Sequence, residues 1–174
     1  MLDTRRSLLV IILGLIAIFV QGTVLRAIGP AWVVPNLLVI IVVFLGFYES
    51  SVRGATLAFL LGLELDFANG LLVGPWAGAF VVSFGILASL SQRIFVESPL
   101  AAVIATFACS IVSAVVYFTL VYEFHPAVTI IVPFSVAEAT LNALLAPVVF
   151  GVLRTVLLRQ ARGGSSGRLR SIAA

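Results

Sequence analysis

The sequence predicts an all-α protein: a polytopic membrane helix bundle of six transmembrane helices. Three observations predict it. Hydrophobic residues make up 62% of the 174-residue chain and charged residues only 10%, against about 25% charged in an ordinary soluble domain. The apolar residues fall into six runs separated by polar or helix-breaking residues, and the positive charge consists of ten arginines, with no lysine, placed mostly between those runs.

The first run, Leu8 to Leu25, begins as a secretory signal does, with Arg5 and Arg6 ahead of an apolar stretch. It continues to about Val24 without a small-x-small cleavage site, so it predicts a retained helix. The second run, Pro35 to Tyr48, and the third, Gly54 to Phe67, are short. At 1.5 Å per residue each reaches only ~21 Å of a ~30 Å hydrocarbon core, which leaves either two short crossings or one re-entrant helical hairpin. Pro30 and Trp32 ahead of the second run, and Tyr48 behind it, suit a helix start and two interfacial positions. The remaining runs, Leu71 to Leu90, Leu100 to Tyr122 and Ile130 to Leu158, are long enough to span.

Arginine placement sets the orientation, because cytoplasmic loops collect positive charge. With six crossings and a cytoplasmic start, Arg5, Arg6, Arg53, Arg93, Arg154, Arg159, Arg162, Arg168 and Arg170 lie inside and Arg26 alone lies outside. Both termini are therefore expected in the cytoplasm, and the re-entrant variant shares that end placement. Residues 1–161 form the integral membrane domain. Residues 162–174, "RGGSSGRLRSIAA", lack the apolar surface to order themselves and read as a flexible basic cytoplasmic tail. That tail is either solvated or held near anionic membrane lipids.

Between helices in lipid, small residues spaced four apart let backbones approach. Gly54, Ala58 and Gly62 line one face of the third run, and Gly70, Gly74 and Gly78 open the fourth. Ala101, Ala105, Cys109 and Ser113 repeat the pattern in the fifth, as do Ser135, Ala139 and Ala143 in the sixth. These stripes serve packing within the chain or a dimer face. The first run has no such stripe. Its Ile12, Ile16 and Phe19 make a bulky apolar ridge, a candidate partner face.

Ionisable groups at membrane depth cost at least ~2.5 kcal/mol each, so they normally face the bundle interior or water. Glu64 and Asp66 sit near the end of the third run, where a short helix already meets water. Two residues apart, they point to different faces, whereas Asp66 and Asn69 share one. In the sixth run Glu138 and Asn142 are neighbours at i and i+4, with Pro147 a turn further on. Glu138 is expected to point inward, either in a polar knot that fixes packing or at a proton or ligand site. Arg26 either pairs with Asp66 or Glu123 or caps the first helix.

Catalysis finds no footing. Cys109 is the single cysteine and His125 the single histidine, and HExxH, Walker and GxSxG patterns are absent, so no catalytic residue, metal or cofactor is expected. Nothing in the chain suggests nucleic acid as a partner.

"PNLLVIIVVFLGFY" from Pro35 and "GATLAFLLGLELDFANGLLVG" from Gly54 resemble the rod shape-determining protein MreD family. Pro35, Asn36, Leu37, Gly62, Asp66, Gly70 and Gly74 carry the likeness. The resemblance implies a six-helix protein of the bacterial inner membrane without enzymatic activity, a scaffold of the elongation (rod-shape) machinery. It implies binding to the membrane-anchored protein MreC, and through it a link to MreB filaments and to peptidoglycan synthases in support of cell-wall synthesis and cell shape. The family is also similar in fold to the substrate-binding subunits of energy-coupling-factor vitamin transporters. Under that alternative, Glu64, Asp66, Glu138 and Asn142 would ring an outward-facing pocket. The Ala-xxx-Ala docking face of such subunits is missing here, since Ala17 is followed four residues later by Gln21.

Overall fold

Stretches that are apolar on every side settle at the centre of a bundle, and the second run is the most uniformly apolar of the six. In the computed structural model, which describes residues 4–25, 27, 34–70, 72–91, 99–124 and 132–158, it becomes the hub. The elements are α1 (Thr4–Phe19), which continues as a π-helical segment Val20–Leu25, then α2 (Leu37–Tyr48), α3 (Val52–Asn69), α4 (Pro75–Ser91), α5 (Pro99–Phe124) and α6 (Val132–Leu153), which ends in a π-helical segment Arg154–Leu158. All the regular structure among the described residues is helical.

Helix α2 is 12 residues long, and every residue from Leu38 to Gly46 is buried. Each of the other five helices packs against it. A helix apolar all round is compatible with lipid or with a bundle interior, and here its short length and the side chains that supply its start go with the interior position. The ring around it runs α1, α3, α4, α5, α6 through adjacent contacts.

Successive helices alternate in direction. We call the end carrying the turn between α3 and α4 the upper end. Gln21, at the close of α1, meets Leu37, at the start of α2. At the opposite end Tyr48, which finishes α2, accepts hydrogen bonds from the Arg154 guanidinium near the close of α6, with Nε at 2.8 Å. The Glu49–Ser51 turn therefore lies level with the last turns of α6, so α2 and α3 traverse the bundle and do not fold back part-way as a hairpin would.

Several expected boundaries are corrected. Helix α3 has 18 residues, about 27 Å at 1.5 Å per residue, because the polar residues at both ends of the third run stay helical. Helix α4 starts four residues later than its apolar run. Gly70 is the left-handed cap of α3, at φ 67°, and Gly74 has φ 123°, so both belong to the turn and only Gly78 lies inside α4. Three of the described helices are long and apolar enough to cross a membrane: Thr4–Val24, Pro99–Val121 and Ser135–Leu157.

The small-residue stripe of α3 is a true packing seam, with Gly54, Ala58 and Gly62 all buried. A Cβ placed on Gly62 would collide with the backbone of Ala77 in α4, so the two helices cross there at backbone contact. Serines 83 and 113, 2.8 Å apart and both buried, join α4 to α5. Helix α1, which has no four-residue stripe of small residues, turns Val10, Gly14 and Ala17 inward at spacings of four and three, so packing against the bundle here does not require such a stripe.

The Gly62 seam has a measurable consequence. Gly62→Ala is expected to destabilise the folded protein in detergent by about 1–3 kcal/mol or more, the usual cost of overpacking, since backbone and not a flexible side chain stands in the way. Gly85→Ala, which meets nothing within 4 Å, should be neutral or stabilising by up to ~1 kcal/mol through helix propensity. Thermal unfolding of the two variants side by side checks the difference.

Candidate functional site: a polar cluster at the upper end of the bundle

The first amides of a helix have no intrahelical acceptor, and inside a bilayer water is not there to serve them. Two of the helices that start on the upper side, α2 and α4, are supplied by side chains. At α2 the Asn36 side chain caps the helix, accepting from the Leu38 amide at 3.2 Å. The Asn36 amide itself donates to Asn142 Oδ1 at 2.7 Å, and the Leu37 amide donates to Gln21 Oε1 at 3.1 Å. Asn142 also donates through Nδ2 to Ser110 Oγ at 3.0 Å. Helices α1, α5 and α6 are thereby tied to the start of α2.

At α4 the acceptor is Asp66. Its Oδ2 accepts from the Gly74 amide at 2.8 Å and the Ala77 amide at 3.2 Å, and its Oδ1 accepts from the Trp76 amide at 3.0 Å. Pro75, the first residue of α4, has no N–H to satisfy. One carboxylate thus serves the exposed donors around the helix start, where the helix dipole also favours negative charge. Gly70 lets the chain leave α3 in the left-handed conformation that brings Gly74 to within reach.

The expected site residues separate into different roles. Asp66 is only 1% exposed, so it does not sit in water at the end of a short helix. It is buried because its oxygens have backbone partners. Asn69 is exposed, at the last position of α3. Glu64 does point to another face than Asp66, toward α1, where a Cβ on Gly14 would strike its carboxylate, and its buried Oε2 has no hydrogen-bond partner among the described residues. Arg26, His125 and the Glu123 side chain lie outside the described residues.

Because α2 is short, its start lies below the upper end, and a cavity of about 220 Å³ remains above it. Gln21 and Gly22 line it from α1, Val34, Pro35 and Asn36 from the stretch of chain leading into α2, and Leu65 and Asn69 from α3. Trp76 of α4 and Glu138 of α6 complete it. Of the four residues expected to ring a ligand pocket, only Glu138 lines this cavity. Trp76, stacked on Tyr117 with ring centroids 4.4 Å apart, is a site residue that the sequence reading misses. A tryptophan directly after a proline that opens a helix is the signal available for it. Among the described residues no group of three or more His, Cys, Asp or Glu side chains is placed to hold a metal ion.

Residues 3–156 match the family described as rod shape-determining protein MreD. The chain belongs to that family. It is a membrane protein with a role in rod-shape determination. No curated protein and no solved structure matches it. Pro35, Asn36 and Leu37, together with Asp66, Gly70 and Gly74, on which the resemblance read from the sequence rests, lie at the starts of α2 and α4 and in the turn between α3 and α4.

Asp66→Ala should leave three amides without an acceptor, that of Ala77 buried and those of Gly74 and Trp76 partly buried, and cost about 1–3 kcal/mol for the buried one with smaller additions from the other two. Asp66→Asn keeps one oxygen but turns an NH₂ toward an N–H donor, and should fall between wild type and Asp66→Ala. Thermal midpoints in detergent rank the variants. Arg162→Ala, outside the described residues, serves as the reference and should not move the midpoint.

Proposed function

We propose that the protein is a non-enzymatic, multi-pass scaffold of the inner membrane, with both termini in the cytoplasm, that docks a membrane-anchored MreC-like partner within the rod-shape machinery. Through that partner it supports MreB filaments and peptidoglycan synthases in the elongation complex. The observation that carries this reading is the two-sidedness of α1. Val10, Gly14, Ala17 and Gln21 are seated against the bundle, while Leu8, Ile12, Leu15, Ile16 and Phe19 project outward, Phe19 at 68% exposure. The ridge of Ile12, Ile16 and Phe19 therefore belongs to a peripheral helix whose other face is already committed.

Arginine placement supports the cytoplasmic ends. The four arginines among the described residues, Arg5, Arg6, Arg53 and Arg154, fall at the lower ends of their helices, as one cytoplasmic face requires. Glu64 faces α1 and Asp66 serves the start of α4, apart from Glu138 and Asn142, which remain neighbours on α6, and this arrangement gives no support to the vitamin-transporter alternative.

The test is co-purification from mild detergent with a single-span MreC-like protein. The unaltered chain should retain it, and Ile12→Ala/Ile16→Ala/Phe19→Ala should lose most of it, since aromatic and aliphatic anchors dominate interfaces. Leu144→Ala/Val148→Ala, also exposed but on α6, should retain the partner. Loss in the α6 variant with retention in the α1 variant would move the docking face to another helix.

A further inference from the structure

We propose that α1 is a proton-controlled clasp: it seats on α3 while the Glu64 carboxyl carries its proton, and it is released when that carboxyl ionises. The seat is close-fitting. A Cβ built on Gly14 of α1 would collide with Glu64 Oε2 and with Leu61 Cδ2, so the carboxyl lies against bare α1 backbone. Its Oε2 is buried and has no hydrogen-bond partner among the described residues. Glu64 stands five residues before the last residue of α3, about 7.5 Å along the axis.

No described cation stands level with this carboxyl. Helix α3 is packed by α1, α2 and α4. The titratable side chains of α1 are Arg5 and Arg6, about 12 Å or more below Gly14 along the helix axis. Helix α2 has only Tyr48, which Arg154 engages at the lower end, and α4 has none. On α3 itself Asp66 serves the start of α4, and Arg53 lies in the first turn at the lower end. A lone carboxylate is far costlier in such a place than a neutral carboxyl, so seating and proton binding favour each other. Seating is therefore complete at low pH and lost as pH rises. Helix α1 is the element that gives way, because it packs chiefly on α2 and α3. Its one polar tie to another helix among the described residues is Gln21 to the Leu37 amide. Since α1 also carries the outward ridge, one proton would set whether that ridge is held firmly against the bundle.

The test measures the distance between α1 and the bundle as pH changes. Cys109 is the single cysteine, so in Cys109→Ala/Leu15→Cys/Val82→Cys two nitroxides are attached at exposed positions of α1 and α4. The full chain is held in lipid nanodiscs and the spin–spin distance distribution is recorded from about pH 4 to about pH 9, a range that covers carboxyl titration. One short distance is expected at the acid end. A longer population should grow as pH rises, with the long-to-short ratio increasing roughly tenfold or more across the series. Adding Glu64→Gln, which cannot ionise, should hold the short distance throughout. Adding Gly14→Ala, which denies the carboxyl its seat, should give the long distance even in acid. A distance that does not change with pH in the parent, or a change that persists in Glu64→Gln, overturns the proposal. Should Glu64→Gln fail to fold, Glu64→Met, similar in length and without a titrating group, takes its place under the same criterion.

Discussion

The start of α2 lies inside the bundle, and the hydrogen bonds that supply it are the constraint on which the rest of the architecture depends. Twelve residues reach about 18 Å, well short of a ~30 Å core. The leading amides must therefore find acceptors where water is scarce, and each unsatisfied one would cost several kcal/mol in hydrocarbon. Gln21, Asn36 and Asn142 provide them. In doing so they fix where α1 ends, how far α6 has slid along α2, and, through Ser110, where α5 stands. Once α2 is held at that depth, its apolar surface is sheathed on all sides and the space above it is left as a cavity.

Asp66 repeats the same solution at the start of α4. A carboxylate that looks too costly for a membrane helix becomes favourable when three amides point at it. The two helix starts share a logic: a polar side chain from a different segment finishes a helix that cannot finish itself. This explains why the polar residues that stand out in so apolar a chain gather at one end. The opposite end is held differently, by aromatic packing of Phe44, Tyr48 and Phe150 and by Arg154 lying over the Tyr48 ring.

Much of this is legible in the sequence. The six helices follow from apolar runs and their breaks, and the α3 seam follows from Gly54, Ala58 and Gly62. The second run, read from Pro35, begins within two residues of the observed helix start at Leu37, and Glu138 is expected to face inward. What the sequence does not display is distance between segments. The donors that occupy Asp66 lie eight to eleven residues further on, so local periodicity gives no hint that it is buried. The central position of α2 has a signal, its apolar surface all round, but its shortness argues equally for a re-entrant hairpin until the encircling helices are in view. The inward face of α1 escapes notice because its spacings of four and three, with Val10 and Gln21 among them, do not form a small-residue stripe. The cavity belongs to no segment, since five separate pieces of chain line it.

Whether α2 is a hub without contact to lipid can be measured directly. Carbene labelling from a diazirine placed on lipid acyl chains, read residue by residue by mass spectrometry, should mark the outward positions Ile12, Leu15 and Phe19 of α1 and Leu144 and Val148 of α6, and leave Leu38 to Gly46 unmarked. Labelling of Ile40, Val42 or Val43 at the level of the α1 ridge would show that α2 faces the bilayer, which contradicts a sheathed central helix.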